Sequence, residues 1–192
     1  MIICVYGAAS NNIDGSFFEK CEELGYKLGS NGHSLVYGAG GCGLMGATAR
    51  GFKKAGAHVH GVIPKFFEEN GYEAIFKDAD KITRTDTMEE RKAIMENECN
   101  AFIVTPGGVG TLDELFQIIT LKQLGRMDKA IAIYNINGYY NKTIELIEEA
   151  IEKGFINKEC EKLFAVFTDL DKMVEYIENY SGNDIKWDFL KK

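Results

Sequence analysis

The sequence predicts an α/β fold in which a doubly wound parallel sheet is covered by helices on both faces. Apolar runs of strand length alternate along the chain with runs of helical period. The strand-length runs are apolar at successive positions, which is typical of strands buried on both faces. A hydrophobic content of 45% with only two prolines supports a packed core within the 192 residues.

Each predicted strand is a short apolar run between polar or glycine-containing segments. The predicted strands are residues 2–6, 34–37, 59–63, 101–105, 130–134 and 163–167. The helices are predicted where apolar residues recur three or four positions apart, near residues 17–30, 44–55, 88–99, 112–124, 140–153 and 170–180. Residues 64–86 follow neither period, so we expect a loop or flap over a site there. Residues 1–182 are expected to form a single domain, and residues 183–192 a loosely attached tail.

Charge and composition argue against several classes of function. The net charge of −7, without any basic block, disfavours a nucleic-acid or anionic-membrane partner. No apolar run approaches the roughly 18 residues of a membrane span, and the N-terminus has no signal-peptide layout. The five cysteines show neither a CxxC motif nor metal-ligand spacing. We therefore expect a cytoplasmic protein with reduced thiols and no metal site.

The most informative stretch runs from Thr105 to Glu114 and reads T-P-G-G-V-G-T-L-D-E. A predicted strand, a glycine turn and a helix start meet there. Glycine N–H groups can approach an anion closely, and a helix N-terminus adds partial positive charge, so the stretch predicts a phosphate cradle. Its candidate binding residues are Gly107, Gly108, Val109, Gly110, Thr111 and Asp113. The carboxylates of Asp113 and Glu114 indicate that chemistry takes place beside the phosphate.

Two further glycine loops follow predicted strands, where open α/β sheets bind ligands. In the first, residues 7–10, Ser10 is a candidate ligand; in the second, residues 38–46, Gly40 and Gly41 are candidates. The second loop contains G-x-G-x-x-G, but it follows the second strand and no acid ends the next one, so NAD binding is not favoured. For this loop the alternative stays open that glycines only allow tight turns and close helix packing.

The helix near residues 88–99 carries cations on or beside its apolar face. Met88, Lys92, Met95 and Cys99 fall on one side. Arg91 is displaced from them by roughly a fifth of a turn. Two interpretations are open. The stems of Arg91 and Lys92 snorkel to solvent, or both cations point into a site and bind an anion, a role that suits the planar guanidinium.

Two helices begin with a capping-box pattern. Thr87-x-x-Glu90 and Thr111-x-x-Glu114 both match S/T-x-x-E, in which the carboxylate bonds back to the start of the helix. The pattern favours capping for Glu90. For Glu114 capping is the alternative, but the three glycines before it favour a functional role.

The helix predicted at residues 112–124 has two apolar stripes. The stripe expected to face the sheet contains Leu112, Leu115, Phe116 and Ile119, and the other contains Ile118, Leu121 and Leu124. A helix that is apolar on both faces is buried on both faces. Because few other elements are available to cover it, we expect a homodimer packed through this helix, with the site beside the interface.

These motifs resemble the lonely guy family of cytokinin riboside 5′-monophosphate phosphoribohydrolases, often mislabelled lysine decarboxylases. The family's P-G-G-x-G-T-x-x-E appears at residues 106–114, its M-x-x-R-K at 88–92 and its glycine loop ending in G-L-M-G at 40–46. A further likeness is N-G-Y-Y-N at residues 137–141. The first loop departs from the family's G-S-S, because it reads Gly7-Ala8-Ala9-Ser10.

The resemblance implies a Rossmann-like homodimer that hydrolyses the N-glycosidic bond of a nucleoside 5′-monophosphate, without a metal or redox cofactor. The products would be a free base and ribose 5-phosphate. Arg91 and Glu114 correspond to the family's catalytic pair, with Lys92 and Met88 as further candidate ligands. Plain AMP and N6-isoprenylated AMP both remain open as substrates. The alternative is a non-catalytic protein of the same fold that binds a nucleotide or carries the molybdenum cofactor.

Overall fold

The computed structural model describes residues 1–71 and 74–182, which contain a seven-stranded parallel sheet. The strands are β1 (Ile2–Tyr6), β2 (Ser34–Tyr37), β3 (Val59–Pro64), β4 (Lys81–Thr85), β5 (Ala101–Val104), β6 (Ala130–Tyr134) and β7 (Ala165–Phe167). The helices are α1 (Gly15–Ser30), α2 (Gly43–Lys54), α3 (Lys65–Glu69), α4 (Met88–Glu98), α5 (Val109–Gln123), α6 (Asn141–Glu152) and α7 (Leu170–Glu178). The predicted doubly wound fold is confirmed. The predicted tail, residues 183–192, lies outside the described residues.

The strand order is β4-β3-β2-β1-β5-β6-β7, with every neighbouring pair parallel. The chain builds the sheet outward from β1 to β4, crosses over, and builds it in the other direction from β5 to β7. The order therefore reverses between β1 and β5, where Tyr6 lies opposite Val104. Ligands of open α/β sheets bind outside the carboxyl ends of the strands at such a switch point.

Alternate residues of each central strand enter two separate cores. Ile3 and Val5 pack with apolar residues of α1, α2 and α7, whereas Cys4 and Tyr6 pack with those of α4 and α5. This division follows from the two-residue period of a strand. In the part of the chain that the structure describes, no helix is long and apolar enough to cross a membrane.

The segment expected to be a loop or flap, residues 64–86, contains α3 and β4. The strand was not predicted because β4 is an edge strand that pairs with β3 alone and carries exposed charged residues. Arg84 of β4 donates to Glu68 of α3 from Nε (2.6 Å) and Nη2 (2.9 Å). This fork ties the two elements together.

The buried face of α5 differs from the predicted one. Leu115, Ile118 and Ile119 are buried, whereas Phe116 is 40% exposed. The assignment of Phe116 to the sheet side and of Ile118 to the outer side was wrong. The true core face continues to Lys122, which is fully buried, and this cation interrupts the apolar pattern from which the face would have been recognised.

Candidate active site

A cavity of about 340 Å³ opens at the switch point between β1 and β5. It is lined by Gly7, Ala8, Ala9, Ser10, Met45, Phe67, Met88, Arg91, Gly108, Gly110, Thr111 and Glu114. A larger surface depression of about 590 Å³ lies along α7 and contains none of these residues. The cavity brings together the loops after β1 and β5 with the start of α5, as the sequence predicted.

The start of α5 presents backbone donors without partners in the helix. Leu112 N–H donates to Gly108 O (3.0 Å) and makes the first hydrogen bond of the helix. The N–H groups of Val109, Gly110 and Thr111 therefore have no acceptor within α5. The residue before the helix is Gly108, which has no side chain to cap them. These donors and the helix dipole together favour an anion at this end of α5.

The glycines of this loop are needed for different reasons. A Cβ on Gly107 would overlap with the Thr111 side chain, so packing requires glycine at that position. A Cβ on Gly108 or Gly110 would meet nothing within 4 Å, and neither residue has a positive φ. Since both line the cavity, the space they leave is open to a ligand.

Glu114 cannot cap α5, because it is the sixth residue of a helix that begins at Val109. The capping alternative for Glu114 is thereby excluded. In α4, by contrast, Thr87 Oγ1 accepts from Glu90 N–H (3.1 Å), and the Glu90 carboxylate accepts from Asp86 N–H (2.8 Å). Glu90 therefore bonds back to the start of its helix as predicted, although its partner is the residue before the Thr87 N-cap.

Arg91 and Glu114 form an ion pair inside the cavity. Arg91 Nη1 lies 3.6 Å from Glu114 Oε1, and the side chains are 8% and 10% exposed. Arg91 Nε donates to Val62 O (3.1 Å), and a Cβ on Gly38 would overlap with Arg91 Nη2. The snorkelling interpretation is therefore wrong for Arg91, whose guanidinium is fixed towards Glu114 by β3 and the loop after β2.

Three of the predicted ligands of α4 and α5 lie outside the cavity lining. Lys92 Nζ pairs with Asp113 Oδ2 (3.0 Å), and the Asp113 side chain is exposed. Val109 is also exposed, at the outer surface of α5. The structure thus separates the adjacent acids, since Glu114 faces the cavity and Asp113 faces Lys92.

The second glycine loop contacts another segment of the same chain, the residues before β4. Gly41 N–H donates to Ala74 O (2.7 Å), and Gly40 forms an isolated antiparallel bridge with Ile75. Neither Gly40 nor Gly41 lines the cavity. For these two glycines the packing interpretation holds, because the segment before β4 lies against them.

The first loop contributes backbone groups, although its sequence departs from G-S-S. Ala8 N–H donates to Pro106 O (3.0 Å), and Ala8 O accepts from Leu44 N–H (2.8 Å), so this loop joins the other two. Ser10 lines the cavity, and its Oγ accepts from Asn12 N–H (3.1 Å).

Apolar side chains complete the cavity, and two of them were not predicted. Met45 of α2 and Phe67 of α3 lie in the lining with Met88. Arg91 Cζ lies 6.0 Å from the centre of the Phe67 ring. Phe67 could have been predicted only from its position in residues 64–86, the irregular segment that was expected to cover a site.

Comparison with known proteins identifies the family. The family model described as possible lysine decarboxylase matches residues 45–177. Cytokinin riboside 5′-monophosphate phosphoribohydrolase LOG3 of Arabidopsis thaliana is 35% identical over 93% of this chain and 82% of its own length. The LOG4 protein of the same plant, which has the same activity in its name, is 36% identical over the same shares. This chain belongs to the lonely guy family.

Solved structures give the fold of this lonely guy protein independent support. The molybdenum cofactor binding protein from Rippkaea orientalis superposes with a TM-score of 0.71 over 92% of this chain and 94% of that one. At 19% identity, the likeness shows the shared Rossmann-like fold alone. Family membership, through the names of the relatives, supports a phosphoribohydrolase activity.

Lys122 of α5 is a fully buried lysine. Its Nζ donates to Lys129 O (2.8 Å) and to Tyr180 Oη (2.7 Å). Burial lowers the pKa of Lys122 to about 8. Lys122 does not line the cavity, and its contacts join α5 to the segment that follows α7.

Proposed function

We propose that this protein hydrolyses the N-glycosidic bond of adenosine 5′-monophosphate, plain or N6-modified, to a free base and ribose 5-phosphate. The observation that carries the proposal is the placement of Glu114, 3.6 Å from Arg91, in a cavity that also contains the uncapped start of α5. A carboxylate and an anion cradle are both needed by this reaction. The activity named for the relatives agrees with it.

The 5′-phosphate is assigned to the N–H groups at the start of α5. The open space beside Gly108 and Gly110 allows its oxygens to approach the backbone. Thr111 and Ser10 add hydroxyl groups to the same lining. Holding the phosphate there fixes the ribose relative to Glu114, four residues further along α5 than Gly110.

The carboxylate of Glu114 is proposed to act at the anomeric carbon, C1′, of the ribose. Breaking the bond between C1′ and the base leaves an oxocarbenium-like ribosyl group, which a carboxylate stabilises, and water then adds to C1′ with loss of a proton. The departing base takes up a proton. Arg91 compensates the Glu114 charge in the buried site, and its bond to Val62 O fixes its orientation.

The base is assigned to the apolar wall formed by Met45, Phe67 and Met88. Such a wall suits the flat face of a purine and adds few polar contacts to its edge. We therefore expect N6 substituents to be accepted.

The experiment is incubation of the protein with AMP, N6-isopentenyl-AMP, GMP and CMP, followed by chromatography for free base and ribose 5-phosphate. We expect release of adenine or isopentenyladenine, and loss of at least a hundredfold in rate for Glu114→Gln, in line with other catalytic groups. The matched control is Asp113→Asn, because the neighbouring acid pairs with Lys92 outside the cavity. Tight binding of nucleotides that are recovered intact would instead support a non-catalytic carrier.

We also propose that the protein is a homodimer packed through the outer face of α5, with the site beside the interface. Phe116 of this helix and Leu124, the residue that follows it, are 40% and 54% exposed, and Glu114 lies on the helix. Size-exclusion chromatography with light scattering should give twice the chain mass, and Phe116→Lys with Leu124→Lys should give a monomer. A wild-type monomer at micromolar concentration would reject the dimer.

A further inference from the structure

The connection after β6 contacts the loop between β5 and α5 through two tyrosines that do not line the cavity. Tyr139 Oη donates to Gly107 O (2.6 Å), and Tyr140 Oη donates to Thr105 O (2.8 Å). Between them, Pro106 O accepts from Ala8 N–H (3.0 Å). Three consecutive carbonyl groups of the loop are therefore each held by a donor from another part of the fold.

The bond from Tyr139 determines the direction of one peptide group. In a trans peptide the carbonyl and the following N–H point in opposite directions, and the described chain contains no cis peptide. Holding Gly107 O therefore turns Gly108 N–H away from Tyr139. Gly108 lines the cavity and Tyr139 does not, which is the arrangement expected if this N–H lies on the cavity side of the loop.

This peptide needs an anchor because a glycine lies on each side of it. Glycine has the widest range of backbone conformations, so the peptide between Gly107 and Gly108 is freer to rotate than its neighbours. A reversed peptide would present the Gly107 carbonyl oxygen, and not the Gly108 N–H, to an anion.

Tyr139 is itself well supported for this role. Its ring packs edge-on against Tyr140 (5.0 Å between centres) and against Phe17 (6.4 Å). Tyr140 is fully buried, and its N–H donates to Asn135 Oδ1 (2.7 Å). The N-G-Y-Y-N motif at residues 137–141 thus places a hydroxyl group behind the loop.

We propose that Tyr139 is a positioning residue whose hydroxyl keeps the peptide between Gly107 and Gly108 oriented with its N–H towards the 5′-phosphate. The inference rests on the proposed function for the identity of the anion. Loss of the hydroxyl is expected to weaken the recognition of phosphate and to leave recognition of the base unchanged.

The test compares Tyr139→Phe with wild type by calorimetric titration of ribose 5-phosphate and of adenosine, which lacks the phosphate. We expect ribose 5-phosphate to bind about fivefold more weakly, as for the loss of one hydrogen bond, and adenosine to bind equally well. With AMP as substrate, KM should rise by a similar factor while kcat is unchanged. The control is Tyr176→Phe, which removes the hydroxyl of a partly buried ring that packs against Phe167, away from the cavity.

Equal losses for ribose 5-phosphate and adenosine would overturn the inference, because they would indicate a general structural defect. Unchanged binding of ribose 5-phosphate by Tyr139→Phe would also overturn it. If wild type releases no base from any nucleotide but only Tyr139→Phe binds ribose 5-phosphate weakly, the positioning role stands and the proposed reaction fails. If both proteins hydrolyse AMP with the same KM, the proposed reaction stands and the positioning role fails.

Discussion

Arg91 Nη1 lies 3.6 Å from Glu114 Oε1, and the two side chains come from adjacent helices that begin at the same edge of the sheet. The pair is buried, so its geometry is set by the packing around the guanidinium. Gly38 is part of that packing, since a Cβ there would overlap with Arg91 Nη2. Gly38 therefore controls where the charge of Arg91 lies.

Gly38→Ala should lower kcat/KM about a hundredfold, because a displacement of about 1 Å in a catalytic group has that effect. The measurement is steady-state hydrolysis of AMP by Gly38→Ala, Arg91→Ala and the double variant. If the substitution acts through Arg91, the double variant should be no slower than Arg91→Ala alone. Additive losses would contradict this relationship.

Gly110→Ala should stabilise the protein and weaken substrate binding. Gly110 lies in the first turn of α5, without a positive φ and with open space beside it, so alanine fits the folded chain. Replacement of glycine by alanine in a helix raises the free energy of unfolding by roughly 0.5–1 kcal/mol. The added methyl group, however, occupies the space assigned to the phosphate.

Urea unfolding and titration with ribose 5-phosphate measure the two effects of Gly110→Ala. The control is Gly15→Ala, because Gly15 is the first residue of α1 and a Cβ there would also meet nothing within 4 Å. It should stabilise the protein without changing ligand affinity. Equal affinity in wild type and Gly110→Ala would place the anion elsewhere.

The sequence was sufficient for the parallel sheet and for the prediction that Arg91 and Glu114 belong to one site, which the structure brings together in the cavity. Runs that are apolar at every position identify central strands, and a motif that joins glycines to a helix start predicts an anion site. The edge strand β4 could not be recognised in this way, because Lys81 and Arg84 give it the composition of a surface loop.

Contacts that depend on tertiary structure could not be predicted from the sequence either. The hydrogen bond from Tyr139 to Gly107 O joins residues 32 positions apart and uses a backbone carbonyl, which carries no residue identity. The role of Glu114 likewise depends on where α5 begins. Because the helix starts at Val109 and not at Leu112, Glu114 is too far from the helix start to cap it.

The buried Lys122 predicts a pH dependence of stability, and its contribution can be separated from that of other groups. Burial lowers its pKa to about 8 in the fold, whereas an unfolded lysine has a pKa of about 10.4. Between these values the unfolded chain binds more protons, so the contribution of Lys122 to stability rises with pH. Buried thiols act in the opposite direction, since burial raises the pKa of Cys21 to about 12, but Cys21 is the same in wild type and in a Lys122 variant.

Urea unfolding between pH 8 and 9.5 should therefore give a slope that is about 1 kcal/mol per pH unit more positive in wild type than in Lys122→Met. The upper limit of pH 9.5 avoids the titration of tyrosine in the unfolded chain. This matters for Tyr180, the partner of Lys122, because burial and its bond to Asp128 raise its pKa in the fold, so that its titration would add a pH dependence of its own. Lys142→Met is the control, since that side chain is exposed, and it should follow wild type. Parallel slopes for wild type and Lys122→Met would mean that Lys122 keeps an ordinary pKa in the folded protein.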